Sequence, residues 1–273
     1  VKKVLTIAGS DSTGGAGLQA DLKTFEEYGV FGFSSITSIV TMDPTQGWSH
    51  EVTELPADLL EKQLVSVFTG EALAGLKTGM MGNEQNIQVA SHFIEKYQVE
   101  NVVVDPVIAC KGTAQILQPK SVSGLQEYLL PQAWVATPNL VEAGILSGLG
   151  DLNSLADMKE AARQIHKLGA RNVVVKGGQR LVGDFAIDVL YDGHTFHVLE
   201  TKMVQTANNH GAGCTFAAAI TAGLAKGYAT IKAVELAKAF VLKAIEQGVR
   251  INPYVGHVWH GAYNQAQNRM EEQ

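Results

Sequence analysis

Cys214 stands directly behind Gly211-Ala212-Gly213, in the stretch NNHGAGCTFAAAITAGLAKG that runs from Asn208 to Gly227. A buried free cysteine is usually a small hydrophobe. At a helix N-terminus, however, the dipole and the free N–H groups favour the thiolate, so its pKa is expected to fall below about 8.5. Four more polar residues close short apolar runs or follow just behind them: Asp105, Asn139, Glu142 and Lys176. Two carboxylates beside an amide suit a magnesium ion with its waters, and a lysine suits a phosphate. The glycine stretches Ser12–Gly17 (STGGAG) and His210–Cys214 (HGAGC) each precede a helical pattern. There the exposed N–H groups attract anions, and glycine lets a ligand approach the backbone. Together these residues point to phosphoryl transfer, which asks for positioning, charge neutralisation and a base near the acceptor hydroxyl.

The elements that must carry these residues alternate. VLTIA (Val4–Ala8) leads through the first glycine stretch into GLQADLKTFEEYG, where Leu18, Leu22 and Phe25 recur at helical spacing and Gly29 is a stop. NVVVD (Asn101–Asp105), WVATPN (Trp134–Asn139) and NVVVKGG (Asn172–Gly178) read as buried strands. Between the last two lies a helical stripe of Leu155, Met158, Ala162, Ile165 and Leu168, capped at Ser154 and ended by Gly169. FAIDVLYDGHTFHVLE predicts a hairpin turning at Asp192-Gly193. Repeated β-then-α order means right-handed crossovers and a parallel sheet between helix layers, with the ligand beyond the strands' carboxyl ends. The expected fold class is α/β, as a single domain over residues 1–273.

Bulk properties set limits. A net charge of −6 without a run of like charges argues against nucleic acid or an anionic membrane as partner. Two cysteines make no disulfide framework, so a cytoplasmic location is expected. The basic N-terminal start is too short in apolar residues for a signal peptide, and Phe216–Ala225 is too short to span a bilayer. G-x-x-x-x-G-K-[ST] is absent, and GAGCTF follows the polar QTANNH rather than a buried strand, so neither a P-loop nor a dinucleotide fingerprint is present.

AGSDSTGGAGLQADLKTF, LKTGMM, VVVDPV, TPNLVEA, VVVKGG and NNHGAGCTFAAAI, in this order along almost the whole chain, resemble the ribokinase-like vitamin kinases, specifically the hydroxymethylpyrimidine/phosphomethylpyrimidine kinase branch. The resemblance implies a central, mainly parallel sheet flanked by helices on both faces. It also implies ATP and Mg2+ at the carboxyl edge, and a substrate with a hydroxymethyl group on a flat heterocycle. It puts Cys214 where most of the superfamily has an aspartate base, with Gly211, Ala212 and Gly213 as the anion hole. Asp105 and Glu142 would act through magnesium, Asn139, Lys176, Gly177, Gly178 and Gly213 along the nucleotide, and Asp11, Gly79, Met80 and His210 around the substrate. A homodimer is expected.

Two positions depart from the pyrimidine-kinase pattern. A glutamine that pairs with the aminopyrimidine is matched by Met42, which cannot make that hydrogen bond; the match includes a length difference there, which leaves Gln46 as the alternative. Cys110, in DPVIACKGTAQIL, replaces a small apolar residue ahead of the lid lysine. Both departures are similar to a sister group, the cysteine-containing pyridoxal kinases. Phosphorylation of pyridoxal for vitamin B6 salvage is therefore the first expectation, and the hydroxymethylpyrimidine kinase of thiamine biosynthesis the alternative. On the first reading, Cys214 adds to the pyridoxal aldehyde and Cys110, on a lid, relays the proton. From other classes, a cysteine hydrolase with His210 as base leaves Asp105 and Glu142 unexplained, and a silent vitamin-binding protein would show no ATP turnover.

Overall fold

The computed structural model describes residues 1–108, 119–179, 181 and 183–271. Along the chain run β1 (Lys3–Asp11), α1 (Gly17–Glu27), β2 (Phe31–Asp43), β3 (Ser49–Glu54), α2 (Ala57–Phe68), β4 (Gly75–Thr78), α3 (Glu84–Lys96) and β5 (Val102–Val104). Then come α4 (Pro119–Gly124), β6 (Val135–Ala136), α5 (Leu140–Ser147), α6 (Leu155–Lys167), β7 (Asn172–Lys176), β8 (Phe185–Tyr191) and β9 (Phe196–Lys202). α7 (Ala212–Ala225), α8 (Thr230–Glu246), β10 (Val249–Arg250), β11 (Gly256–His257) and α9 (Ala262–Glu271) complete it.

The main sheet has nine strands in the order β3-β2-β1-β4-β5-β6-β7-β8-β9. From β2 through β7 neighbours pair in parallel, while β3, β8 and β9 join antiparallel at the two edges. The valine runs explain the layering. Alternate residues of a strand point to opposite faces, so Val102, Val104, Val173 and Val175 enter the core shared with α2, α3, α5 and α6. Val103, Val135 and Val174 face α7 and α8 on the other side. α7 is apolar around its whole girth because it lies in the interior: every residue from Thr215 to Ala225 is buried.

The predicted helices and strands are present. Ser154 caps α6 by accepting the Asp157 N–H at 3.1 Å. The hairpin turns at Asp192-Gly193, whose Asp192 carboxylate accepts the N–H groups of His194 and Thr195. β2 and β3 carry no alternating signature clean enough to place in advance; β2 mixes serines and threonines with Ile36, Ile39 and Val40. No described helix is long and apolar enough to cross a membrane.

Candidate active site

The carboxyl ends of β1, β4, β5, β6 and β7 meet the N-terminus of α7 around a cavity of about 200 Å3. Asp11, Gly79, Met80, Asp105, Asn139, Glu142, Lys176, His210, Gly211, Gly213 and Cys214 all line it. A second hollow of about 390 Å3 adjoins it, and Asn139, Lys176 and Gly213 border both. Gly177, Gly178 and Ala212 face only this second hollow, whose far wall is the apolar Phe216, Val241 and Leu242. Two larger hollows, of about 670 and 730 Å3, lie around Asn101 at the strands' amino ends and gather no comparable chemistry.

Asp11 closes β1 by turning into the first glycine stretch. Its carboxylate accepts the N–H groups of Thr13 and Ala16 and meets His210 Nε2 at 3.0 Å. Burial works to raise the Asp11 carboxyl, but the bonds from His210 and Thr13 outweigh it and hold the group well below the usual carboxylate range. Met80 is fixed by Thr37, whose hydroxyl donates to the Met80 carbonyl at 2.5 Å.

At the β5 end, Asp105 accepts from Thr137 Oγ1 at 3.2 Å and pairs with Lys176 Nζ at 3.0 Å. Lys176 also reaches α7, because a Cβ on Gly213 would sit 3.5 Å from its Nζ. Asn139 and Glu142 form a reciprocal capping box at the start of α5. Asn139 Oδ1 accepts the Val141 and Glu142 N–H groups, and Glu142 Oε2 accepts the Asn139 N–H at 2.8 Å. The Asn139 side-chain carbonyl is therefore engaged in the cap, and its NH2 is the part left for a ligand. Burial pushes the Glu142 carboxyl up to about 7, Lys176 opposing and the Asp105 charge adding to it.

Cys214 departs from the sequence expectation. Gly211, in the left-handed region at φ 86°, starts α7 without a side-chain cap. The Gly17 N–H points to the thiol, and Lys77 lowers its pKa further. Nevertheless burial dominates: the residue keeps some exposure to the cavity, but desolvation pushes the thiol up to about 11. A helix N-terminus lowers a thiol pKa only where the thiolate is not stripped of water.

Three further features of the site carry no signal that was read from the sequence. Lys77, fully buried on β4, lines the cavity and pairs with Asp21 of α1 at 2.9 Å, both side chains at 0% exposure. Thr6 Oγ1 donates to the same Asp21 oxygen at 2.6 Å. Burial pulls the Lys77 ammonium down, but the Asp21 carboxylate more than compensates and holds its pKa above the ordinary value. The only advance hint is a lysine inside an otherwise apolar strand. His50, on β3, lines the cavity beside His210, ring centroids 5.7 Å apart. Val40 lines it as well. Met42, one step along the same strand face, is buried against β3 and is not among the cavity-lining residues, and Gln46 lies in the exposed turn after β2. Cys110 and the CKGTAQ stretch lie outside the described residues.

Among the described residues no group of three or more His, Cys, Asp or Glu side chains is arranged around a metal position. Two hard carboxylates, Asp105 and Glu142, do line the small cavity, Asp105 paired with Lys176 and Glu142 capped on Asn139. That set fits magnesium, which is held by one or two carboxylates with phosphates and water completing its shell, rather than by a protein cage.

The family model described as phosphomethylpyrimidine kinase matches residues 11–259. The chain is 48% identical to the pyridoxine kinase of Bacillus subtilis over 95% of this chain and 96% of that one. It is 42% identical to the hydroxymethylpyrimidine/phosphomethylpyrimidine kinase of the same organism, over 96% of each. The structure of the Staphylococcus aureus pyridoxal kinase in complex with AMP-PCP and pyridoxal superposes with a TM-score of 0.92 at 51% identity, covering 97% of this chain and 95% of that one. With the mainly parallel sheet and the strand-end site in place, these similarities show that the chain belongs to the phosphomethylpyrimidine kinase family.

Proposed function

We propose that this chain is an ATP-dependent kinase that phosphorylates the hydroxymethyl group of pyridoxal. The observation that carries this reading is the junction of two hollows at Asn139, Lys176 and Gly213. A small cavity holding the thiol of Cys214 there opens onto a larger cleft with an apolar far wall. Pyridoxal occupies the first, against Met80, Val40 and His50, and the nucleotide lies in the second, its base against Phe216 and Val241. No glutamine is among the residues lining the small cavity, so the amide that would pair with an aminopyrimidine is missing from its described walls. The pyridoxine kinase similarity, above that to the pyrimidine kinase, favours the same substrate.

In the reaction, Lys176 and the α7 N–H groups hold the phosphates and neutralise charge as it builds on them. Asp105 and Glu142 would hold magnesium, which supplies further neutralisation when bound. With a substrate that lacks the aldehyde, such as pyridoxine, the Cys214 thiolate takes the proton of the hydroxymethyl group as its oxygen attacks the γ-phosphorus and the bond to the β-phosphate breaks. A thiol raised by burial does this only with help. Lys77 and the Gly17 N–H, which favour the thiolate, supply that help. For pyridoxal itself, the Cys214 sulfur adds to the aldehyde carbon as the C=O π bond opens and the thiol's proton passes to that oxygen, and Cys110 takes the hydroxymethyl proton in place of Cys214. The protein is read as a cytoplasmic homodimer folded as one domain, and light scattering on the purified chain tests the dimer.

An ADP-release assay comparing pyridoxal, pyridoxine, pyridoxamine and hydroxymethylpyrimidine tests the substrate. Pyridoxal is expected to give the highest kcat/KM, and Cys110→Ala to lower turnover on it sharply while ATP binding stays close to wild type. The second reading, hydroxymethylpyrimidine kinase, is favoured by the 42% identity to the Bacillus enzyme. It takes over if hydroxymethylpyrimidine outcompetes pyridoxal.

A further inference from the structure

The segment Gly256–His260 (GHVWH) has no part in the chemistry above, yet it is woven into the site from behind. Its backbone brackets His210: the His210 N–H donates to the Gly256 carbonyl at 3.0 Å, and the Val258 N–H donates to the His210 carbonyl at 3.2 Å. The His257 ring, only 5% exposed, lies where a side chain on Gly15 would be. A Cβ built there would fall 1.4 Å from His257 Nδ1. The same ring meets the His210 ring edge-on, at 5.1 Å and 85°. From the opposite side, a Cβ on Gly211 would come within 1.7 Å of the Gly15 carbonyl oxygen. One imidazole thus touches both the glycine turn that follows Asp11 and the turn that carries His210 to α7. Through His210, that contact runs on to the Asp11 carboxylate.

Its chemistry also sets the ring apart from a space-filler. His257 Nε2 is buried with no hydrogen-bond partner among the described residues. An unpartnered buried nitrogen costs about 1–3 kcal/mol, which a hydrocarbon ring of similar size would avoid. The flat ring is instead seated in the space that only a glycine at position 15 leaves free.

We infer that His257 is a positioning residue, bracing the Gly15 turn against His210 so that Asp11 and His210 meet the vitamin in a fixed place. The inference rests on the reading that the small cavity takes pyridoxal. Displacements of about 1 Å at a positioned group can cost a hundredfold in rate. Residues in direct contact are non-additive, so a double-mutant cycle reports the brace itself.

Four variants test it by steady-state kinetics: His257→Ala, His257→Gln, Gly15→Ala and the Gly15→Ala/His257→Ala pair, each first checked for a wild-type-like melting transition. His257→Ala is expected to raise the KM for pyridoxal about tenfold, with kcat and the KM for ATP within about twofold. His257→Gln, which keeps bulk and polarity, should stay within about threefold of wild type. Gly15→Ala should lower kcat/KM for pyridoxal about a hundredfold, and adding His257→Ala should recover about tenfold, because the new methyl then has room. A pair no better than Gly15→Ala alone, or a folded His257→Ala with the wild-type KM, overturns the inference. Where His257→Ala fails to fold, Gly15→Ala, which keeps both rings, carries the test through the imidazole NMR signals of His210 in the unliganded chain. Shifted signals support the brace and unmoved ones sink it. Absence of pyridoxal phosphorylation in the wild type defeats the substrate reading instead, and the His210 signals still decide the brace.

Discussion

Lys176 Nζ lies 3.0 Å from Asp105 Oδ1, with the two side chains 15% and 3% exposed. On the proposed function, the cation that would meet nucleotide phosphates is thus already held by the carboxylate that would meet magnesium. Removing the lysine leaves two nearly buried carboxylates, Asp105 and Glu142, without their counter-charge. Lys176→Met should therefore destabilise the chain by about 3–5 kcal/mol, as for a broken buried pair. It should also reduce kcat at least about a hundredfold. Denaturant unfolding and the ADP-release assay read the two effects. Wild-type stability in this variant would mean that the pair is solvated.

Lys77 and Asp21 form a second ion pair with both side chains at 0% exposure, and Asp21 Oδ1 has no hydrogen-bond partner among the described residues. Lys77→Met alone should cost about 3–5 kcal/mol by stranding the carboxylate, whereas Lys77→Met/Asp21→Leu should recover most of that loss. The double variant should nonetheless stay poorly active, because Cys214 has lost the cation that favours its thiolate. Wild-type turnover in a folded double variant would remove Lys77 from the chemistry.

Burial raises the Cys214 thiol to about 11 in the unliganded chain. At neutral pH its thiolate fraction is a few hundredfold below that of a free cysteine near 8.5. Iodoacetamide should accordingly label Cys214 slowly at pH 7.5, and the rate should keep climbing with pH without a plateau below about 10. Peptide mass mapping separates it from Cys110. Rapid labelling that levels off near pH 7 would restore the low-pKa thiol expected from the helix terminus.

His260 Nε2 lies 3.0 Å from Thr215 Oγ1, which itself donates to the Gly211 carbonyl at 2.8 Å. The hydroxyl must then accept from the imidazole, so Nε2 carries the proton of a neutral ring. Burial lowers the His260 pKa from 6.5 to about 4. Between those values the unfolded chain binds the proton that the folded chain refuses, so the contribution to stability is present above pH 6.5 and lost as pH falls towards 4. The loss amounts to about 3 kcal/mol at most. His260→Asn, which keeps a donor for Thr215, should flatten that slope in denaturant titrations from pH 7 to 4.5. Parallel slopes for the two proteins would assign the acid loss to other groups.

The order of apolar runs and the polar residues that end them already carry the layered architecture and most of the chemical inventory. Runs such as NVVVD and NVVVKGG become strands because β-branched residues buried on both faces have no other economical place, and their polar last residues then emerge at one sheet edge. That alone brings Asp105, Asn139 and Lys176 together with the start of α7. Tertiary structure decided what local pattern does not encode. Whether Cys214 ionises easily depends on how much water its surroundings exclude, and desolvation there outweighs the helix terminus. Lys77 is held as a charge in the site because α1 packs on the sheet and brings Asp21 to it, and His50 joins because the edge strand β3 turns back along β2. His257 reaches Gly15 across more than two hundred residues, a close approach that no periodicity or spacing foretells, since it exists only once the C-terminal segment has paired with the turn before α7.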